Sequence, residues 1–100
     1  MEKRTPHCNL AKVKALVEAG QVKATGSAYV GARELGIHDL AGMCVVVMSL
    51  TPADFYKSMT THGDQKIWQD VYHARTETND EVYLKLTVID SVLIVSFKEL

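Results

Sequence analysis

The sequence contains no long hydrophobic run and no secretion signal. Its longest apolar stretches, residues 43–48 and 92–97, fall well short of the ~18 residues that a membrane-spanning helix requires. The first seven residues are basic and polar, without the apolar segment or the cleavage site of a signal peptide. These absences predict a cytoplasmic protein with no membrane attachment.

Cysteine is equally scarce in this sequence. Cys8 and Cys44 are the only two, and cysteines this far apart do not form a zinc-binding motif. The reducing cytosol also disfavours a disulfide between them. We therefore expect two free thiols that are buried or partly buried.

Familiar motifs of catalysis and cofactor binding are missing. The sequence has no glycine-rich phosphate loop, no Gly-x-Ser-x-Gly motif and no His-Glu-x-x-His motif. The four histidines are scattered, and no two have the spacing of metal ligands. We therefore expect neither a metal nor another cofactor. A cysteine–histidine nucleophile pair remains compatible with the sequence, although nothing singles out either thiol.

Charge of one sign is not in excess either. The formal net charge is −1, so no overall field attracts nucleic acid. Lysine and arginine outnumber the acids six to four in residues 1–50, whereas the acids outnumber them eight to five in residues 51–100. An RNA ligand would therefore need a local basic patch.

One hundred residues, of which 47% are hydrophobic, suffice for a single domain spanning residues 1–100. Apolar residues at helical spacing predict a first helix that starts near Thr5-Pro6 and ends at Gly20. A short edge strand at residues 21–24 and a second helix, capped by Thr25 or Ser27, should follow. Residues 39–50 contain three strand-favouring valines, but their apolar face and the capping residue Asp39 favour a third helix.

The second half of the sequence changes to the two-residue period of strands. Four segments alternate in this way, at residues 56–61, 67–73, 81–89 and 92–98, and turn-forming residues separate them. Such short connections predict an antiparallel meander. The expected fold is thus α+β, with N-terminal helices packed on one face of a mainly antiparallel sheet.

The other face of this sheet is the candidate functional surface. Three strands carry polar or basic residues beside aromatic ones, namely Tyr56 with Lys57, Trp68 with Gln69, and Tyr83 with Lys85. Aromatic rings can stack on unpaired bases, and lysines can meet phosphates. The same pattern also occurs on sheet faces that simply contact water. His62 and His73 are further candidates for acid–base chemistry.

Four long motifs occur at these strands: Asp54-Phe55-Tyr56-Lys57-Ser58-Met59-Thr60-Thr61, Ile67-Trp68-Gln69-Asp70-Val71-Tyr72, Val82-Tyr83-Leu84-Lys85 and Val92-Leu93-Ile94-Val95-Ser96-Phe97-Lys98-Glu99. In these motifs, and in their order along almost the whole chain, the sequence resembles the MqsR family of ribonuclease toxins, which have a RelE-like fold. Shorter matching segments are residues 1–7, 20–22 and 42–44.

The resemblance implies a toxin of a type II toxin–antitoxin system that cleaves single-stranded mRNA at GC-containing sites without a metal. It also implies inhibition of translation and growth, with links to persistence and biofilm formation. The implied partner is an MqsA-like antitoxin with a zinc-bearing part and a DNA-binding part, so DNA would be contacted only through the complex.

The family's catalytic lysine, glutamine and tyrosine correspond to Lys57, Gln69 and Tyr83. The expected substrate-binding residues are Tyr56, His73, Arg75 and Lys85, although a member of the family has arginine at the position of His73. We expect the ribose 2′-hydroxyl to attack the adjacent phosphorus, which yields a 2′,3′-cyclic phosphate and a 5′-hydroxyl. Two alternatives remain open: a non-catalytic RNA-binding module, and a regulatory partner that acts only with an antitoxin in transcriptional control.

Overall fold

Helices occupy the first half of the chain and long strands the second, as the sequence predicts. The structure, a computed structural model, describes all 100 residues. Its helices are α1 (Leu10–Glu18), α2 (Gly26–Glu34) and α3 (Leu40–Ser49), followed by a 3-10 turn at Pro52–Asp54. Its strands are β1 (Glu2–Lys3), β2 (Val22–Ala24), β3 (Phe55–Thr60), β4 (Trp68–Arg75), β5 (Glu81–Ile89) and β6 (Ser91–Glu99). The α+β prediction is therefore confirmed.

Side-chain caps decide where the helices begin. Helix α1 starts at Leu10, not near Pro6 as predicted, because the Asn9 side-chain oxygen accepts hydrogen bonds from the backbone N–H groups of Ala11 and Lys12. Asp39 caps α3 by accepting from the Gly42 N–H at 2.8 Å. The predicted third helix is thus confirmed, since burial of its apolar residues outweighs the strand propensity of its three valines.

The six strands form one mixed sheet in the order β1-β3-β4-β5-β6-β2. Strands β3 to β6 are the predicted antiparallel meander, and β1 extends it at one edge with antiparallel pairing to β3. Strand β2 lies at the other edge, as predicted, but it runs parallel to β6. A sheet built only from antiparallel pairs is therefore ruled out. No hairpin joins β2 to its partner β6, so a tight turn does not force these two strands to be antiparallel.

The hydrophobic core lies between the three helices and one face of the sheet. It contains 16 buried residues, and the strands supply half of them: Tyr72, Ala74, Val82, Leu84, Leu86, Val92, Ile94 and Phe97. Tyr72, Leu84 and Phe97 are direct cross-strand partners, so they point to the same face. The helices therefore cover this one face, which leaves the opposite face free.

Helix α2 packs closely against β6 at Gly31. A Cβ atom added at Gly31 would lie 2.0 Å from the Phe97 carbonyl oxygen. Glycine is therefore required here by packing, although it lowers helix propensity by roughly 1 kcal/mol relative to alanine.

Substituting Gly31→Ala should destabilise the fold by about 1–3 kcal/mol, because the added methyl group forces α2 away from β6. Urea unfolding would measure the loss. Gly26→Ala is the matched control, since a Cβ there has no neighbour within 4 Å. A Gly31→Ala protein as stable as the control would contradict this account of the packing.

Candidate active site on the uncovered face of the sheet

The uncovered face of the sheet collects the residues predicted to act on RNA. Side chains alternate between the two faces of a strand, and directly paired residues share a face. Lys57 on β3 pairs with Val71 on β4, and Val71 pairs with Lys85 on β5. Val71 is fully buried, yet it does not belong to the core beneath the helices. It therefore forms the floor of the opposite face, between the two lysines.

The three predicted catalytic residues lie around this floor. Gln69 is two residues before Val71 on β4 and so shares its face. Tyr83 on β5 pairs with His73, which is two residues after Val71. Lys57, Gln69 and Tyr83 thus belong to three adjacent strands and point to the same side. Sequence alternation and sheet register together bring these residues into one patch.

Lys57 has an unexpected partner from the start of the chain. Its Nζ atom donates to Glu2 Oε1 at 2.6 Å, and its side chain is 19% exposed whereas that of Glu2 is 54% exposed. The hydrogen bond and charge of Glu2 raise the pKa of Lys57, with burial opposing and both Tyr56 and Tyr83 adding to the increase. The same ion pair lowers the pKa of Glu2. Lys57 therefore stays protonated at neutral pH.

The N-terminal segment that carries Glu2 is anchored on both sides. On one side, the Met1 ammonium donates to Thr60 Oγ1 at 2.9 Å, and Glu2 and Lys3 pair with Met59 and Ser58 on β3. On the other side, the backbone N–H groups of residues 7 and 8 each donate to the carboxylate of Asp70 at 3.0 Å. This carboxylate, which is only 2% exposed, also accepts from Ser58 Oγ at 2.7 Å.

An aromatic pair borders the patch on the β3 side. The rings of Tyr56 and His73 stack with centroids 4.3 Å apart and an angle of 23° between their planes. Arg4 Cζ and Lys57 Nζ lie 5.3 and 5.6 Å from the centre of the Tyr56 ring. A register shift between Phe55 and Lys57 places Tyr56 in a bulge, which turns its ring toward β4.

Two more lysines complete the positive surface. Lys98 on β6 pairs with Tyr83, and its Nζ lies 5.1 Å from the centre of that ring. Burial lowers the pKa of Lys85, and the positive charges of Lys98 and Lys57 lower it further. The face therefore concentrates positive charge in a protein whose net charge is −1.

Arg75 is the one predicted substrate-binding residue that other groups hold away from this patch. Its guanidinium forms an ion pair with Glu81 at 3.1 Å and donates to the side chain and backbone oxygens of Asn79. It thereby closes the connection between β4 and β5. The other six predicted residues, Lys57, Gln69, Tyr83, Tyr56, His73 and Lys85, share the uncovered face or its border.

The patch is an open surface and not a cavity. None of the cavities of the molecule is lined by Lys57, Gln69 or Tyr83, and the largest, about 840 Å³, lies between the start of α1 and the 3-10 turn. No group of three or more histidine, cysteine or acidic side chains is arranged to hold a metal ion. No helix is both long and apolar enough to cross a membrane.

Comparison with known proteins decides the family. The family described as motility quorum-sensing regulator, toxin of MqsA, matches residues 5–99. The mRNA interferase toxin MqsR of Escherichia coli (strain K12) is 62% identical over 99 residues, which cover 99% of this chain and 99% of that protein. The chain belongs to the MqsR toxin family. All seven site residues predicted from the sequence fall inside the matched region.

Three neighbours of the predicted MqsR-family site were not identified from the sequence: Glu2, Arg4 and Lys98. Glu2 and Arg4 reach the site only because β1 pairs with β3, more than fifty positions away in the chain. A two-residue strand gives no periodic signal. Lys98 lies at the end of a predicted strand. Knowledge of how β6 pairs with β5 would have identified Lys98, because it is the direct partner of Tyr83.

Replacing the anchoring carboxylate should loosen the N-terminal segment. Asp70→Asn turns one acceptor oxygen into a donor that faces other donors, so we expect a loss of about 1–3 kcal/mol in unfolding free energy. Hydrogen exchange should also become faster at His7 and Cys8. The control is Asp90→Asn, an exposed turn residue with φ of 66° that asparagine tolerates. Equal stability of the two variants would contradict the anchoring role.

Replacing Lys85, which lies close to two other lysines, should stabilise the protein. Lys85→Met removes a partly buried charge that Lys98 and Lys57 repel, so the unfolding midpoint at neutral pH should rise. Because the folded-state pKa of Lys85 is lowered, the unfolded chain binds more protons, and the stability of the native protein should increase as pH rises through this lowered pKa. The advantage of Lys85→Met should therefore shrink at alkaline pH. Lys66→Met, in an exposed loop, should show neither effect.

Proposed function

We propose that this protein is an endoribonuclease toxin that cleaves single-stranded mRNA without a metal ion. The observation that carries the proposal is the convergence of Lys57, Gln69 and Tyr83 on one uncovered, positively charged sheet face. Membership of the MqsR toxin family and 62% identity to an mRNA interferase toxin support it. Cleavage at GC-containing sites and the resulting inhibition of translation and growth belong to the same proposal.

The chemistry needs few protein groups because RNA supplies its own nucleophile. In our proposal the 2′-hydroxyl attacks the adjacent phosphorus and the 5′-oxygen leaves, which gives a 2′,3′-cyclic phosphate and a 5′-hydroxyl. The ammonium of Lys57, protonated at neutral pH, stabilises the added negative charge of the phosphorane. Gln69 orients the phosphate or a base, and the hydroxyl of Tyr83 assists proton transfer.

The border of the patch is suited to hold the rest of the RNA. Tyr56 is 41% exposed and stacks on His73, so the pair offers a platform for an unpaired base. Lys85 on this face, and Arg75 beyond the patch at the end of β4, supply positive charge for neighbouring phosphates. An open face also accommodates an RNA chain that continues beyond the site in both directions, whereas a closed cavity would not.

The remaining parts of the proposal concern architecture and partners. The α-helices on one face of a mainly antiparallel sheet are compatible with the RelE-like toxin fold. The family description, toxin of MqsA, supports an MqsA-like antitoxin as the partner, one that contains zinc and binds DNA. We further propose that the toxin acts in the cytoplasm, where mRNA is found, and influences persistence and biofilm formation.

The decisive test is cleavage of a defined single-stranded RNA in EDTA. Lys57→Met is preferred to alanine because it keeps the side-chain stem over Val71 while removing the charge. We expect the native protein to cut and Lys57→Met to lose about 100- to 1,000-fold in rate, since the phosphorane loses its positive partner. Lys23→Met, an exposed lysine on the far edge strand, is the matched control and should cut normally.

Fragment ends and binding complete the test. A 5′-hydroxyl and a 2′,3′-cyclic phosphate are expected, whereas a 5′-phosphate would contradict the transesterification scheme. RNA binding without any cleavage by the native protein would instead favour the non-catalytic binding module. Binding of operator DNA only together with an antitoxin, without RNA cleavage, would favour the regulatory partner.

A further inference from the structure

The proposed reaction needs a group that removes the proton of the ribose 2′-hydroxyl. The identity of this group matters only if the proposed function holds, and its assignment rests on that function. Lys57 is protonated and cannot accept a proton. Tyr83 carries a phenol, which must lose its own proton before it can act as a base. The three predicted catalytic residues therefore leave the role of general base unfilled.

Glu2 is the carboxylate that contacts Lys57 directly. It pairs with Met59, which in turn pairs with Gln69, so the register places Glu2 on the same face as Lys57 and Gln69. Of the other acidic side chains on strands β3 to β6, Asp70 is buried on the helix-covered face, and Glu99 pairs with the core residue Val82 and so belongs to that same face. Glu81 forms an ion pair with Arg75 at the β4–β5 connection.

The ion pair with Lys57 fixes the distance between Glu2 and a bound phosphate. An ammonium group has three donors, of which Glu2 occupies one at 2.6 Å. A phosphate oxygen bound to a second donor would lie ~4.4 Å from the carboxylate oxygen, given tetrahedral geometry, the 2.6 Å contact and a second bond of ~2.8 Å. The attacking 2′-oxygen lies ~3–3.5 Å from the phosphorus in a reactive conformation. A 2′-hydroxyl on the side of the phosphate that faces Glu2 is therefore within reach of its carboxylate.

The position of Glu2 is fixed by the fold and does not depend on its own side-chain contact alone. Backbone pairing of β1 with β3, the Met1 contact with Thr60 and the two N–H bonds to Asp70 hold the segment on both sides. Lys57, Arg4 and the amino terminus are the charged groups that act on Glu2, and all are cationic. They keep its carboxylate ionised, which is the form that accepts a proton.

We infer that Glu2 is the general base of RNA cleavage. Its carboxylate takes the proton from the 2′-hydroxyl as the 2′-oxygen bonds to phosphorus. The bond from phosphorus to the 5′-oxygen breaks, and the leaving oxygen receives a proton from the Tyr83 hydroxyl. Solvent then returns the proton from Glu2 to Tyr83, so the protein ends in its starting state.

The test compares Glu2→Gln with Glu2→Asp in full-length protein. Glutamine keeps an oxygen that accepts the hydrogen bond of Lys57 but removes the base, so kcat should fall by about 100-fold or more. Affinity for a 2′-O-methyl RNA, which is bound but not cut, should stay unchanged or tighten. Aspartate should restore part of the rate. The acidic limb of the native pH–rate profile, which lies below the ordinary range of glutamate, should be absent in Glu2→Gln.

Controls distinguish a general base at Glu2 from a residue that only positions Lys57, and from failure of the proposed function. Glu34→Gln, at an exposed position at the end of α2, should cut like the native protein. A Glu2→Gln protein that cuts equally fast or faster would overturn the inference alone, and Glu2 would then merely occupy Lys57 until phosphate displaces it. Equal losses of rate and affinity would also overturn it. A native protein that cuts no RNA would overturn the proposed function and this inference together.

Discussion

The buried carboxylate of Asp70 is the interaction on which the candidate site depends. A carboxylate that is 2% exposed is costly to bury unless donors satisfy it. Here Ser58 and the backbone N–H groups of residues 7 and 8 supply three donors. They join the segment before α1 to β3 and β4, and this segment includes β1. This attachment holds the segment that places β1 beside β3, and with it the contact between Glu2 and Lys57.

The lysines of the uncovered face, unlike the buried Asp70, lower the stability of the protein. Lys57, Lys85 and Lys98 lie close enough together for the two others to lower the pKa of Lys85. Such crowding destabilises the protein in the absence of a ligand. In the proposed function, RNA lying across the face offsets this cost, because its phosphates neutralise the positive charge. Burial of the 16 core residues on the other face of the sheet stabilises the fold and offsets this cost. None of these residues belongs to the surface that carries the lysines.

The sequence predicted the parts of the fold that local patterns determine. Alternation identified β3 to β6, and side-chain caps identified α2 and α3. The start of α1 was missed because Asn9, and not the Thr5-Pro6 pair, supplies the cap. The direction of β2 and the existence of β1 depend on pairing between distant segments, which short-range patterns do not encode. The same limit explains why Lys57, Gln69 and Tyr83 were predicted as candidates while Glu2 was not.

The sheet register also determines how the negative charge of Glu2 and the positive charge of Lys57 are arranged on one small surface. Glu2 reaches Lys57 diagonally, from a position that pairs with Met59, so the two side chains meet above β3 and leave the row from Val71 to Lys85 open. If Glu2 paired directly with Lys57, the carboxylate would be centred on the row that we propose takes the phosphate. The diagonal contact instead keeps the carboxylate at the rim, where it holds one donor of the ammonium. A short edge strand displaced by two residues is therefore sufficient to place an acid beside the proposed phosphate site.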